Sequence, residues 1–157
     1  MNKKGKRFLI FIACLIIVYL VAGIGSIFTT AETKGDWYNS VRPAITPPNW
    51  VFPIVWNILF FLIALSLYFS WINAKNIAIR KKISWAFGIN FALNVLWSVL
   101  YFGMHNPLLA LFDIILLALS IIFMMKVSWK ISRLASWLLL PYLLWVCFAS
   151  VLNFLSI

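Results

Sequence analysis

The run FLIFIACLIIVYLVAGIGSIF, Phe8–Phe28, contains no charged side chain and no proline. As an α-helix rising 1.5 Å per residue it reaches roughly 30 Å, the thickness of a bilayer's hydrocarbon core. Four further apolar stretches follow it, at Val51–Ile72, Ile83–Gly103, Pro107–Met125 and Leu134–Leu155. The third is the least apolar and holds Asn90 and Asn94. It must still cross, because the basic clusters on either side of the hairpin it forms with the fourth belong together. Composition agrees, since 65% of the 157 residues are hydrophobic and only 10% are charged. A soluble domain would carry about 25% charged residues. The reading is all-α: one integral membrane domain over residues 1–157, a bundle of five transmembrane helices, expected as a multi-pass protein of a bacterial cell membrane.

The net charge of +10 is distributed in a telling way. Lys3, Lys4, Lys6 and Arg7 precede the first span. Lys75, Arg80, Lys81 and Lys82 separate the second and third, and Lys126, Lys130 and Arg133 the fourth and fifth. The other two connections are different: one balances Lys34 and Arg42 against Glu32 and Asp36, and the hairpin near Gly103 holds only His105. Eleven of the thirteen basic residues therefore fall on one side, which the positive-inside rule assigns to the cytoplasm. This predicts a cytoplasmic N-terminus and an outside C-terminus. Short basic clusters between apolar runs are the pattern of membrane loops, so nucleic acid is not an expected partner. Cys14, Cys147 and His105 have no metal-ligand spacing, and neither a metal site nor a resident cofactor is expected.

The hairpin between the third and fourth spans is legible residue by residue. Gly103 suits a helix end, Asn106 a cap, and Pro107 the first helical position, where its missing N–H costs nothing. On the same side, residues 29–50 form a connection rich in rigid and aromatic groups: Trp37, Tyr38, Pro43, Pro47, Pro48 and Trp50. Prolines restrict the backbone, so a structured lid is predicted there.

Nine tryptophans require sorting. Trp37, Trp50, Trp71, Trp85, Trp129 and Trp137 lie near span ends and fit an interfacial belt. Trp56, Trp97 and Trp145 lie inside spans, roughly 7, 9 and 15 Å below the outer ends. Asn90, Asn94, Trp97 and Tyr101 share one helical face, as do Tyr142, Trp145, Ala149 and Asn153. Phe52, Trp56 and Phe60 make an aromatic stripe on the second span. Asp113, at a depth of roughly 9 Å, should face the bundle interior, because a carboxylate near the membrane centre costs about 2.5–3.5 kcal/mol on insertion scales. Each polar residue taken singly could equally be a bond between helices, typically about 0.6 kcal/mol. Aromatic faces on three spans with an acid at similar depth predict a ligand pocket beneath the lid. Gly88 and Ala92 form a small-x-x-x-small pair that suits close helix contact, within the bundle or between copies.

These residues resemble the TspO/MBR family, also called translocator protein or tryptophan-rich sensory protein. Trp37 and Tyr38 match the opening of its lid. Pro47, Pro48, Trp50, Phe52 and Trp56 match P-P-x-W-x-F-x-x-x-W. Asn94, Trp97, Ser98, Leu100, Phe102, Gly103 and Pro107 match N-x-x-W-S-x-L-F-F-G-x-x-x-P, with Tyr101 for the first phenylalanine. Asp113 stands at the family's acid, and Pro141, Tyr142, Trp145, Phe148, Ala149, Leu152 and Asn153 match P-Y-x-x-W-x-x-F-A-x-x-L-N. The motifs run in order over about residues 20–155.

The resemblance implies a five-helix bundle, usually dimeric, that binds porphyrins and similar flat apolar molecules under its first extramembrane loop. Ligand contacts are implied at Tyr38, Pro47, Phe52, Trp56, Phe60, Asn90, Asn94, Trp97, Ile114, Trp145 and Ala149, to which the depth of Asp113 adds that residue. The expected function is a porphyrin receptor with a sensory or regulatory role. One alternative is light-dependent degradation of protoporphyrin, with Trp56 and Trp145 as the reacting groups; another is transport. In that scheme the porphyrin is ligand or substrate, and the bilayer and a second copy are the other partners. Two departures stand out. Ile45 occupies a place where the family commonly has a further tryptophan, and no basic residue follows Tyr142 to complete a sterol pattern.

Overall fold

The computed structural model describes residues 2–157, and the described residues contain helices and no strand. In chain order the elements are α1 (Lys3–Glu32), α2 (Asp36–Val41), α3 (Val51–Ile72) and α4 (Ile77–Ser98). A π-helical turn (Val99–Gly103) extends α4, and α5 (Pro107–Trp129), α6 (Arg133–Trp137) and α7 (Leu140–Phe154) follow. Five units are long and apolar enough to cross a membrane: α1, α3, α4 with its π turn, α5, and α6 joined to α7. The chain is a multi-pass integral membrane protein.

The helices outrun the apolar stretches because capping, and not hydropathy, sets where a helix starts. Asn2 accepts the Gly5 N–H at 2.7 Å, so α1 begins at Lys3 where the apolar run begins at Phe8. Asn76 accepts the Ile79 N–H at 2.9 Å, so α4 starts at Ile77 and its first turns carry Arg80, Lys81 and Lys82. Lysine and arginine are good helix formers, and their long stems let the charge reach water. At the hairpin Asn106 caps α5 through the Leu109 N–H at 3.0 Å, with Pro107 in the first turn, as the sequence predicts. His105 takes a left-handed φ of 50° there, which lets the Asn106 N–H turn back to the Leu100 carbonyl at 3.0 Å.

The fifth span is broken where an unbroken helix over Leu134–Leu155 is expected. Pro141 has no N–H for the carbonyl one turn back and its ring crowds that carbonyl. The chain passes through a tight turn at Leu138–Leu139, with Leu139 N–H bonded to Ser136 O at 3.1 Å, before α7 resumes.

Packing follows membrane rules. Large apolar side chains such as Phe8, Leu20, Ile58, Phe112, Leu119, Leu144 and Phe154 face outward. Ala64, Ala86, Ala110, Ser66, Ser70 and Ser128 are fully buried between helices. Lipid is as apolar as leucine, so helices gain from close approach and from polar bonds. Ser70 donates to the Ser128 hydroxyl at 3.1 Å and Ser66 to the Ala135 carbonyl at 2.7 Å, tying α3 to α5 and α6. Gly103 allows a closer approach still, since a Cβ there would lie 3.1 Å from the Phe28 ring. Gly103→Leu is therefore expected to lose about 1–3 kcal/mol by overpacking, read from unfolding in detergent. Gly23→Leu, whose Cβ would meet nothing within 4 Å, should leave the midpoint unchanged.

Candidate functional site

Tyr142 is the node of the region the sequence singles out. It sits on α7 with no solvent exposure. Its hydroxyl donates to Asn90 Oδ1 at 3.3 Å and accepts from Asn94 Nδ2 at 3.1 Å. Asn90 in turn donates to Ser120 Oγ on α5 at 2.8 Å. Nearer the hairpin, Trp97 Nε1 donates to Asn153 Oδ1 at 2.9 Å, and Asn153 Nδ2 to the Pro107 carbonyl at 2.8 Å. Tyr101 donates to Ser156 at 2.9 Å. These bonds form one polar column where α4, α5 and α7 meet. The shared face of Asn90, Asn94, Trp97 and Tyr101 turns inward along it.

An aromatic seam stands beside this column, between α3 and α7. Phe52 meets Trp145 edge to face with ring centres 5.8 Å apart, and Trp56 meets Tyr142 likewise at 6.1 Å. Trp56 also stacks on Phe60 at 5.2 Å, and Phe148 lies 5.6 Å from Trp145. Trp97 stacks on Tyr101 at 5.1 Å and reaches a second aromatic cluster with Tyr38 and Phe102. Trp56, Trp97 and Trp145 are all half-buried and engaged with other spans. Ile114 is buried in the same core, and Ala149 is half-buried against it.

The lid is structured, and its anchors are specific. Tyr38, in α2, is buried with its ring 5.7 Å from Phe102; burial pushes its phenol above the ordinary value, with Arg42 partly opposing. Trp37 stacks on His105 at 4.3 Å and meets Tyr101 at 5.6 Å, so it is a lid anchor where the belt reading would leave it at the interface. His105 Nε2 lies 3.0 Å from Glu32 Oε2, clasping the end of α1 to the hairpin. Arg42 donates to Asn49 at 3.3 Å, and Asn49 to the Thr33 carbonyl at 3.2 Å. Pro47 is half-buried and lies outside both aromatic clusters.

Within the spans of this half of the bundle two buried polar groups have no partner among the described residues, and the Thr46 hydroxyl of the lid is a third. Asp113 on α5 is only 4% exposed and faces the interior, as predicted, yet neither carboxylate oxygen accepts a hydrogen bond. The Trp145 indole N–H is equally unbonded. A buried group left unmatched costs about 1–3 kcal/mol, more if charged. An acceptor in the interior and a donor on the aromatic seam thus stand unused. The rings themselves are packed together. Two recesses stand out elsewhere: one of about 420 Å³ between lid and hairpin, lined by Trp37, His105, Asn106 and Ser156 among others, and one of about 170 Å³ at the basic end.

Sequence reasoning passed over Tyr142, Asn153 and Ser120 as site residues. The first two were visible on the face that carries Trp145, at helical spacing. Ser120 gives no signal beyond being a small polar residue in a span.

A sequence profile of the TspO/MBR family matches residues 13–156. A tryptophan-rich protein TspO of Archaeoglobus fulgidus is 44% identical over 140 residues, covering 88% of this chain and 90% of the relative. A tryptophan-rich sensory protein of Cereibacter sphaeroides is 32% identical, covering 89% and 87%. A translocator protein of Sus scrofa is 28% identical, covering 86% and 83%.

Removing the node's hydroxyl tests the column. Tyr142→Phe leaves Asn90 and Asn94 each short of one bond, and is expected to cost about 1 kcal/mol, within the range found for polar bonds between membrane helices. The measurement is the unfolding midpoint in mixed micelles, and an unshifted midpoint would show the column to be incidental.

Proposed function

The chain belongs to the TspO/MBR family, and on that premise we propose that it is a membrane receptor for porphyrins and similar flat, apolar ligands. The observation that carries the reading is the aromatic seam: Trp56 and Trp145, borne by different spans and backed by Phe52, Phe60 and Tyr142, beside the unpartnered Asp113 carboxylate and Trp145 N–H. A tetrapyrrole asks for broad stacking faces and a few polar contacts. Indoles supply the faces. Asp113 is suited to accept from a ligand N–H, and Trp145 to donate to a ligand oxygen. Because the rings pack together, a ligand enters by parting them, and the lid held by Trp37, Tyr38, Arg42 and Asn49 is the element that yields. Pro47, Asn90, Asn94, Trp97, Ile114 and Ala149 complete the proposed contacts.

The relatives' names, sensory protein and translocator protein, fit a receptor whose occupancy is read elsewhere. A second reading gives Trp56 and Trp145 a chemical role in light-dependent porphyrin breakdown; it draws on the same seam, which would set both indoles against one ligand. Illuminating the complex with and without oxygen, while following porphyrin absorbance, separates the two. Bleaching that needs light, oxygen and both tryptophans favours the enzyme.

For binding itself, Trp56→Phe with Trp145→Phe is expected to weaken protoporphyrin affinity roughly tenfold or more, since well-placed aromatic pairs contribute about 0.5–1.5 kcal/mol each beyond area. Porphyrin titration of the purified protein, read by absorbance and by quenching of the remaining indoles, measures this. Unchanged affinity in a folded double variant would refute the seam as the site.

We also propose that two copies pair through the outer face of α4. A Cβ at Gly88 would meet nothing within 4 Å, and Ala92 is exposed, so this small-residue pair is unused inside the bundle. Gly88→Leu with Ala92→Leu is expected to convert dimer to monomer in cross-linking and light scattering without loss of fold. A dimer that survives the double change would place the interface elsewhere.

A further inference from the structure

The second recess, at the end of the molecule away from the lid, has a chemistry of its own. Lys3, Lys6 and Arg7 reach it from α1 and Arg80 from α4, while Ile10 and Ile72 line it with α1 and the end of α3. Lys3, Lys6, Arg7 and Ile10 follow spacings of three, one and three residues, so a single face of α1 carries them. Like charges three and four residues apart on a helix repel by a few tenths of a kcal/mol per pair. This cluster therefore costs stability unless an anion joins it.

The chain supplies none. Of the three acids in the sequence, Glu32 is bound to His105 near the hairpin, Asp36 lies in α2, and Asp113 is buried in α5. Arg80 adds a directional donor to the recess. Its guanidinium lies over the Trp71 ring at 5.5 Å, and its Nε–H is buried, which leaves the outer N–H groups of the fork to face the recess. A guanidinium carries five N–H donors in a rigid fork that suits a phosphate.

From this geometry we infer a binding site for the phosphate headgroup of an anionic phospholipid, formed by Lys3, Lys6, Arg7 and Arg80. At about 170 Å³ the recess falls below the roughly 300–1,000 Å³ of sites for drug-sized ligands, so a headgroup fits its scale and a porphyrin does not. Its surroundings favour a lipid over a free ion. Phe8 and Leu9, directly after Arg7, are exposed on the bundle's outer face. The cations thus stand where the lipid-facing surface begins, and acyl chains can run down that surface while the phosphate is held. Basic pockets between transmembrane helices are general sites for anionic headgroups. Occupancy would neutralise the repulsion on α1 and tie it to α4 at the end where, among the described residues, no side-chain ion pair does so.

The test uses the full chain in detergent, with lipid retention followed by native mass spectrometry and unfolding by thermal shift. Phosphatidylglycerol is titrated against phosphatidylcholine of the same acyl chains and against inorganic phosphate. Retention of phosphatidylglycerol, with stabilisation that phosphatidylcholine does not match, is the expected result. Equal effects from both lipids would overturn the proposal, and stabilisation by inorganic phosphate equal to that by phosphatidylglycerol would overturn the lipid source.

Lys6→Gln with Arg7→Gln removes two exposed charges and should weaken phosphatidylglycerol binding roughly twenty- to thirtyfold, about fivefold per charge. Arg80→Lys keeps the charge but not the fork and should fall between the two. Lys126→Gln with Lys130→Gln, which removes two charges from another basic segment, should have little effect. If it weakens binding as much as the α1 pair does, the attraction is diffuse and the site does not exist. A cooperative unfolding transition of the Lys6/Arg7 variant in phosphatidylcholine micelles shows that it is folded, and because this control uses no porphyrin the result stays independent of the receptor reading.

Discussion

In a bilayer a leucine between two helices is little better off than a leucine facing lipid, so bonds between polar side chains take over the task of fixing how spans meet. The column through Ser120, Asn90, Tyr142 and Asn94, continued by Trp97, Asn153 and Pro107, performs that task here. It joins α4, α5 and α7 at defined heights, and the α7 rings that face α3 across the seam take their position from it. Tyr142 shows the dependence directly, since its hydroxyl belongs to the column while its ring faces Trp56. Each bond is worth little alone. Together they favour one register, in which Asn90, Asn94, Trp97, Tyr142 and Asn153 each make at least one bond.

Backbone irregularities serve the same region. The π turn at Val99–Gly103 adds a residue to the last turn of its span, and Met104 N–H reaches back to Val99 O at 2.8 Å. Tyr101 and Phe102 are both buried as a result, one bonded to Ser156 and the other set against Tyr38 of the lid. Turns of this kind are frequent at functional sites. In the fifth span, the break at Leu138–Leu139 just before Pro141 separates α6 from α7, which have different tasks. Within α6, Ala135 and Ser136 bond to α3 and α5, and α7 presents Tyr142, Trp145 and Asn153 to the column and seam.

How much of this could be read in advance depends on the kind of physics involved. Five spans follow from transfer energies that hydropathy measures, and the inward faces of α4 and α7 follow from helical spacing. The hairpin was readable because Asn106 and Pro107 are local signals with local causes. Helix starts at Lys3 and Ile77 were not, because the asparagine caps lie beyond where lipid-facing sequence stops. The π turn carries no residue signature at all. Whether neighbouring rings enclose a space or fill it depends on rotamers across three helices, and no periodicity encodes that. Phe52, Trp56 and Trp145 were thus legible as neighbours and illegible as a packed wall.

The two ends of the bundle divide its chemistry, and the division follows from where the unmatched groups are. Toward the lid, the orphaned groups within the spans are an acceptor, the Asp113 carboxylate, and a neutral donor, the Trp145 N–H, a pair that suits the flat apolar ligand proposed above. At the opposite end Arg80 stands with three further cations around one recess, a setting that suits the anion proposed there. A bundle whose folding demands were its only constraint would match these groups internally, as it matches Asn90, Asn94 and Asn153. Asp113 and Arg80 cannot satisfy each other, since they belong to opposite ends of their spans. Their separation would let one small bundle hold the proposed flat guest and the proposed anionic lipid without either competing for the other's contacts.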